Sequence, residues 1–484
     1  MPESKTPFEL DSEQWAPQIA ERSGSRYRAI ADALQADIAA GRLQPGEKLP
    51  THRDLAWRLG CTVGTVTRAY VEAERRGLVV GEVGRGTFVR PLQAGYVTMF
   101  PTESQLPTVD GGKQKRPIDL SANAPPNPPL AGRIAKTMAE VAQDIDFVEY
   151  LRYRPTDGLE SHSAAGAAWM ANFGVDVDPA QVIPTNGAQH GMLAAVSAAV
   201  RPGETLLTEN LVFFGVKSIA HMLGLRLQGV EMDEQGIMPE ALEAAIRSSG
   251  ARALYCCSTI QNPTCAMLSH ERWQAIANVC ERHGVIIIED DIYHFLLDKP
   301  VPTFAGYLPE QTIYVASLSK VLAPALRTGY IAAPKRCMGG VLTAIRASGL
   351  MASPLTHEVA ARLIRNGTAM ENGRQIRERA RERQVVARRY LADWHYRSQP
   401  TSLHLWLSLP ENWRRESFTK AALQRGVSVS SSDLFAIGRQ SVPHAVRLAI
   451  GAPRDTEELE RALSIIRDLL RSDEVSPHCD LPPV

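Results

Sequence analysis

The sequence predicts an α/β protein in two parts: a small N-terminal module of three short helices and a hairpin, then a large body with a mainly parallel sheet covered by helices. Three observations predict it. Between residues 27 and 76, apolar residues recur at helical spacing and glycines interrupt the pattern. From about Ala131 onward, helical patterns alternate with the short apolar runs "QVIPT", "ALYCCST", "VIIIED" and "TIYVAS", as expected of parallel strands joined through helices. Between the two parts lies a stretch rich in Pro, Gly and polar residues. A chain of 484 residues also exceeds what one hydrophobic core sustains, so more than one domain is expected.

Composition sets the broad class. The 53 basic residues balance 53 acidic ones and 44% of the chain is hydrophobic, which fits a globular protein rather than a disordered one. No apolar stretch is long enough to span a bilayer. The first residues, "MPESKTPFELDSEQWAPQIAERSG", contain no apolar targeting core, and the expected location is the cytoplasm. The seven cysteines (61, 256, 257, 265, 280, 337 and 479) are scattered and form no C-x-x-C pair, so reduced thiols are expected and a metal site is not.

The small module is read in order. Residues 27 to 40 place Ile30, Leu34 and Ile38 on one helical face, and Gly41 ends the pattern. After "LQPGEKLP", Thr51 is placed to cap a second helix through Leu59, stopped by Gly60; Thr62 is placed to cap a third helix to Arg76, stopped by Gly77. The segment "LVVGEVGRGTFVR" then alternates and turns at Gly84-Arg85-Gly86, giving a hairpin with a cation at its tip. From Ser25 to Pro91 there are eleven Lys or Arg against seven Asp or Glu, a net of plus four. Thr62, Thr65 and Arg68 fall near the start and outer face of the third helix, where base edges would be met. Arg53 and Arg85 are placed to neutralise phosphates of double-stranded DNA. Taken singly, each arginine reads as an ordinary solvated surface cation; the ordered set of caps, stops and wing points to DNA.

Leu92 to Pro129, with "FPTESQLPTVDGGKQKRP" and "ANAPPNPP", has the composition of a mobile linker. The expected domain boundaries are 25–91 for the small module, 92–117 for the linker, 118–470 for the body and 471–484 for a loose tail.

In the body, "SLSKVLAP" places Lys320 just beyond the apolar run "TIYVA". A lysine amine has a pKa of about 10.4 in water, so a nucleophilic one must be desolvated or sit beside other cations. If Lys320 joins an aldehyde cofactor that carries a phosphate, the nearby Ser317, Ser319 and Arg327 are the donors such a phosphate needs. Asp290 directly follows the apolar strand "VIIIE", at the carboxyl end where parallel sheets hold their ligands, and suits the ring nitrogen of a pyridine. Tyr293, three residues on, can reach a ring hydroxyl. The stretch "TNGAQHGMLAAVSAAV" is a loop opening into a helix, so the amides of Gly187, Ala188 and Gln189 form a second phosphate-binding element. Each piece alone also reads as a turn, a cap or a surface lysine; their order carries the argument.

Two resemblances follow from these residues. "GRLQPGEKLPTHRDLAWRLGCTVGTVTRAYVEAERRGLV" and "VGRGTFV" resemble the DNA-binding domain of the GntR class of bacterial regulators over nearly all of residues 27 to 90, which implies a winged helix-turn-helix. The family usually has an arginine where Val63 stands. Val63 cannot make that polar contact, so the family's operator sequence does not carry over.

Gly187-Ala188-Gln189, Asn262-Pro263, Asp290-x-x-Tyr293 and "SLSKxLAPALRTG", in that order, resemble the fold type I aminotransferases that depend on pyridoxal 5'-phosphate. This similarity runs from about Ile118 to Asp468 and implies a smaller C-terminal α+β subdomain beside the main sheet. It implies that Lys320 forms the internal aldimine, Asp290 pairs with the pyridine nitrogen, and Asn262 and Tyr293 serve the ring hydroxyl. Ala188, Gln189, Ser317, Ser319 and Arg327 would form the phosphate cup, and Tyr153, in "YRPTDGLE", would reach the phosphate across a dimer interface. Arg447, in "AVRLAIG", would grip a substrate carboxylate. Phe213, in "ENLVFFGV", stands where the family stacks a tyrosine, and a phenyl face can still stack. Cys265 replaces the glycine usual after "NPT", and a narrower loop near the cofactor is expected.

Together the two parts resemble the MocR subfamily of bacterial transcriptional regulators. That resemblance implies a homodimer arranged head to tail with DNA-binding arms crossing to the partner. It also implies a site that senses an amino compound, anionic in view of Arg447, by aldimine exchange at Lys320. Two other readings compete: a working aminotransferase with an added DNA-binding arm, since Lys320, Asp290, Tyr293 and Arg447 are all retained, and a constitutive DNA-binding dimer that uses the large domain as scaffold. Sensing needs only the first exchange, whereas transamination also needs a second substrate and product release, which favours the regulator.

Overall fold

In the computed structural model, residues 15–17, 25–39, 42–43, 47–75, 78–82, 86–89, 116–126, 130–437 and 442–472 are described, and the chain divides into two units, Met1–Tyr96 and Val97–Val484. The caps and stops of the first unit act locally, as their residue types predict. Helices span Arg26–Ala39, His52–Arg58 and Val63–Arg75. The Thr51 hydroxyl accepts the Asp54 N–H at 3.2 Å, a cap that contributes about 1 kcal/mol. Behind Leu59 the chain turns through Gly60 at φ 57°, a left-handed conformation that glycine adopts without steric cost. Thr62 in turn accepts the Thr65 N–H at 3.2 Å. Ile30, Leu34, Leu55, Val66 and Tyr70 bury one apolar face of each helix, and Val79 and Val89 of the hairpin close the core. Ile38 packs at its margin. The hairpin strands Val79–Glu82 and Gly86–Val89 pair antiparallel, with Glu82 opposite Gly86. Arg85, Gly41, Arg76 and Gly77 lie outside the described residues.

The second unit is built on a seven-stranded sheet. Its strand order is Val182–Thr185, Gly329–Ala332, Thr312–Ser317, Ile286–Asp290, Ala253–Cys256, Thr205–Glu209 and Arg226–Val230. Gly329–Ala332 runs antiparallel to both neighbours and the other adjacent strands pair in parallel, so the sheet is mainly parallel. The strand Thr312–Ser317 is buried along its whole length, which explains why it reads as a continuous apolar run rather than an alternating one. The helices Ala188–Ala199 and Lys335–Gly349 cover one face through Met192, Ala195, Val341 and Ile345. The opposite face buries Trp169, Met170, Tyr314 and Tyr330. A second sheet, ordered Tyr396–Arg397, Leu405–Ser408, Ala445–Leu448 and Ser430–Ser431, packs against Thr456–Leu470 and the end of the long helix Thr368–Leu391. This is the smaller α+β subdomain.

The stretch 116–126, although Pro-rich like the residues before it, is built into the body. Ile118–Asp119 pairs in parallel with Val427–Ser428, and Leu120 is fully buried in the small subdomain. Prolines here exclude helix without excluding packing. Among the described residues, the cysteines are free thiols, five of them buried, and no helix is long and apolar enough to cross a membrane.

Candidate cofactor and effector site

The sheet delivers its chemistry to one end. Asp290 closes the strand Ile286–Asp290 and Ser317 closes its neighbour Thr312–Ser317, and Lys320 follows three residues later. All three line a cavity of about 430 Å³ together with Ala188, Gln189, Phe213, Asn262, Tyr293, Ser319, Arg327 and Arg447. Gly187 opens the helix Ala188–Ala199 at φ 80°. A Cβ there would stand 2.6 Å from Arg327 Nη2, so only glycine lets this guanidinium lie against the helix N-terminus. Arg327 Nη2 donates to the Asn186 carbonyl at 3.1 Å. The Ser319 N–H donates to Ser317 Oγ at 3.1 Å, folding the serine loop back on itself. Phe213 and Phe214 stand with ring centroids 4.6 Å apart, and Gln189 Nε2 donates to the Gly215 carbonyl at 3.1 Å.

Charge in the cavity is held out of water. Burial, aided by Arg447 and Arg327 and opposed by Asp290, pulls the Lys320 amine down to about 8. This lies in the range where a lysine becomes a usable nucleophile near neutral pH. Its Nζ donates to the backbone carbonyl of Asn123. Asp290 Oδ2 accepts the Tyr255 hydroxyl at 2.6 Å, while Oδ1 is buried with no hydrogen-bond partner. Burial raises the Asp290 carboxyl to about 6, with Asp291 adding to the rise and Tyr255 and Lys320 opposing it. An orphaned buried acceptor costs about 1–3 kcal/mol, and the N–H of a protonated pyridine is the donor that would satisfy it.

Arg447 is also fully enclosed. Nη1 donates to Asn262 Oδ1 at 2.7 Å, Nη2 donates to the Ser121 carbonyl, and its Cζ lies 4.9 Å from the centre of the Phe435 ring. Its Nε is buried without a hydrogen-bond partner, an unmet donor that an anion would satisfy. Burial lowers the Arg447 guanidinium to about 10.

Sequence reasoning missed the residue at the centre of these contacts. Asn123 Nδ2 donates to the Tyr293 hydroxyl at 2.8 Å and stands 3.0 Å from His404 Nδ1. Because an amide nitrogen only donates, His404 Nδ1 is the accepting nitrogen, and its Nε2–H points to the Gln261 carbonyl at 3.2 Å. Burial, with Arg447 and Lys320 nearby, lowers His404 to about 3 and keeps the ring neutral. Tyr255, which orients Asp290, was likewise unread.

One expectation changes. Cys265 keeps the left-handed backbone that a glycine would take, at φ 59°, but its thiol points to the His404 carbonyl at 3.3 Å and does not line the cavity. Burial pushes that thiol up to about 12. In the first unit Arg53, Thr62 and Arg68 are exposed and Thr65 is half-buried. The Thr62 and Thr65 hydroxyls lie 2.9 Å apart and bond each other, which leaves one O–H of the pair free to donate. Tyr153 is 84% exposed and does not reach the cavity of its own chain.

A buried lysine and carboxylate at the end of a mainly parallel sheet, with a serine loop and helix N-terminus beside them, define an aminotransferase-like body; the small unit is a winged helix-turn-helix. The comparisons agree with both. Residues 115–466 match aminotransferase class I and II and residues 26–89 match the bacterial regulatory proteins of the gntR family. The chain therefore belongs to the class I and II aminotransferase family and carries a gntR-family DNA-binding domain. It is 29% identical to the uncharacterized HTH-type transcriptional regulator YdeF of Bacillus subtilis, over 96% of this chain and 98% of that protein. It is 24% identical to the vitamin B6 salvage pathway transcriptional repressor PtsJ of Salmonella typhimurium, over 90% and 96%. An archaeal alanine:glyoxylate aminotransferase shares the fold of the large unit at TM-score 0.69 and 21% identity, covering 74% of this chain and 91% of the other. LysN of Thermus thermophilus, solved with N-(5'-phosphopyridoxyl)-L-leucine, does so at 0.67 and 22%, covering 73% and 92%. Family and site together indicate pyridoxal 5'-phosphate as the cofactor. Regulators matched along both units favour a transcriptional regulator over a working aminotransferase.

Proposed function

We propose that this regulator binds promoter DNA as a homodimer and senses an anionic amino compound at pyridoxal 5'-phosphate held in the large cavity. When bound, the cofactor supplies an aldehyde carbon to which either Lys320 or an incoming amine can attach. Asp290 would offer its unsatisfied oxygen to the ring nitrogen, Asn262 and Tyr293 would serve the ring hydroxyl, and Phe213 would supply a stacking face. The amides of Gly187, Ala188 and Gln189, with Ser317, Ser319 and Arg327, take the phosphate. Arg447 takes the carboxylate of the amino compound. Tyr153, exposed beside Ile145 (96% exposed), Val148 and Leu151, supports a head-to-tail dimer in which this apolar stretch is covered and Tyr153 serves the second copy. Arms crossing to the partner and a cytoplasmic location belong to the same reading.

One observation carries the sensing step. Lys320 donates to the Asn123 carbonyl and Arg447 to the Ser121 carbonyl, and residues 121–123 lie just past the stretch that joins the two units in sequence. A ligand that engages either cation competes with its hold on this segment. Occupancy thereby biases the segment leading to the DNA-binding unit, which is the differential contact a switch requires.

The test uses the full-length protein loaded with pyridoxal 5'-phosphate, titrated with amines that do or do not carry a carboxylate. Cofactor absorbance and anisotropy of labelled promoter DNA are followed together. Carboxylated amines should shift both signals, and Lys320→Ala should lose both responses. Continuous turnover with a keto acid and no change in DNA binding would overturn the proposal. A DNA response to the cofactor alone would make the cofactor itself the sensed ligand.

A further inference from the structure

The third helix of the DNA-binding unit begins Thr62-Val63-Gly64-Thr65, and its polar side chains there are already engaged. Thr62 and Thr65 bond each other through their hydroxyls, and Thr62 also accepts the Thr65 N–H. The Thr67 hydroxyl donates to the Val63 carbonyl at 3.0 Å and lies 3.2 Å from His52 Nδ1. Val63 stays out of the core and is 45% exposed. Beside it Gly64 is exposed, and the nearest atom to a Cβ built there is Thr62 Oγ1 at 3.9 Å, so bare backbone flanks the valine. Val63 therefore puts its methyl groups at the surface of this turn, with open space at Gly64 beside it and the Thr62 and Thr65 hydroxyls paired with each other.

In the major groove a thymine offers a C5-methyl group, whereas guanine, adenine and cytosine offer only hydrogen-bonding edges at the corresponding positions. Facing a polar edge, the Val63 side chain would strip water and return no hydrogen bond, which is unfavourable. Facing a thymine, it buries methyl against methyl. We propose that Val63 reads the C5-methyl of a thymine, making this residue a determinant of operator sequence, with the open space at Gly64 permitting close approach. Arg68, exposed one turn further on, supplies sequence-independent attraction. The inference rests on DNA binding by this unit.

The experiment starts with the full-length protein loaded with pyridoxal 5'-phosphate and a pool of random DNA duplexes. Duplexes retained through several rounds are sequenced, and each thymine of the best one is replaced in turn by deoxyuridine, which deletes one methyl and keeps every hydrogen-bonding group. At one thymine per half-site the replacement should weaken binding by about fourfold, the effect of one buried methyl. In Val63→Ala, checked for an unchanged thermal unfolding temperature, the same replacement should cost about twofold or less, because the partner methyls are gone. Val63→Arg should shift selection at that position from thymine to guanine, since arginine can donate twice to a guanine edge. Retained duplexes with no deoxyuridine-sensitive thymine, or a penalty undiminished in Val63→Ala, would overturn the role of Val63 and leave DNA binding standing. Retention of no duplex at all would overturn both.

Discussion

The two units put arginine to opposite uses. In the large unit Arg447 is enclosed, bonded to Asn262, Ser121 and Ser430 and stacked on Phe435, and its charge persists there only because neighbours replace the lost water. In the small unit Arg53 and Arg68 are exposed. A buried guanidinium with a fixed fork selects one small anion by geometry. An exposed one attracts any polyanion and loses strength as salt rises. On the proposed reading, selectivity in the cavity and reach on the DNA come from the same side chain in two dielectric settings, and substitutions in the two units should leave different signatures.

The largest effect is expected at Asp290. Replacing it with alanine removes the carboxylate proposed to meet the ring nitrogen of the cofactor, and loss of one partner of a buried charged pair costs about 3–5 kcal/mol. Retention of pyridoxal 5'-phosphate on dialysis should fall by at least about a hundredfold, while attraction of the small unit to a generic duplex at low salt stays unchanged. A parallel collapse of both would erase the distinction between the units.

Next comes Arg447→Lys, which keeps the charge and loses the planar fork. Affinity for a carboxylated amine should drop about tenfold to a hundredfold, read by titration of the cofactor absorbance, with the cofactor itself retained. An unchanged affinity would reduce Arg447 to a structural cation that holds Ser121 and Asn262.

The pH dependence of cofactor attachment sharpens the electrostatic side of the comparison. Only the neutral amine attacks an aldehyde, so the rate follows the deprotonated fraction, which increases with pH. With the Lys320 amine pulled down to about 8, the rate should climb from pH 6.5, reach half its maximum near pH 8 and level off above. An ordinary exposed lysine would still be climbing toward about 10.4. Stopped-flow absorbance over this range separates the two.

How much of this was legible in the sequence follows the same division. In the small unit the caps at Thr51 and Thr62 and the stop at Gly60 act over two to four residues, so the local sequence suffices to place them. In the body, Asp290, Ser317 and Lys320 were legible because a strand end is marked by where its apolar run stops. Asn123 was not, since its side chain meets Tyr293 and His404 from 170 and 281 residues away and it sits in a Pro-rich stretch that resembles linker. The carbonyls of Ser121 and Asn123 are backbone atoms, carried by every residue type, and leave no mark on a sequence. Tyr255 reads as ordinary core in "ALYCCST" until the adjacent strand brings Asp290 within 2.6 Å of its hydroxyl. Nor does spacing alone reveal that the Thr62 and Thr65 hydroxyls bond each other.

The smallest effect is expected at Arg68. Exposed and away from the core, it can be replaced by alanine without leaving a cavity or an unpaired buried group, so folding should be unaffected. What is lost is one exposed cation. If Arg68 neutralises one phosphate, the plot of log affinity against log salt concentration should flatten by about one unit, and the weakening should be similar for every sequence. The same plot for Arg447→Lys should keep the wild-type slope, because that cation is enclosed in the cavity and released no counterions from DNA. A slope unchanged in Arg68→Ala, joined to a loss confined to one base position, would instead move Arg68 from the phosphates to a base edge. It would then share with Val63 the proposed reading of the operator, and the exposed arginine would be a determinant of sequence as the buried one is proposed to be of ligand.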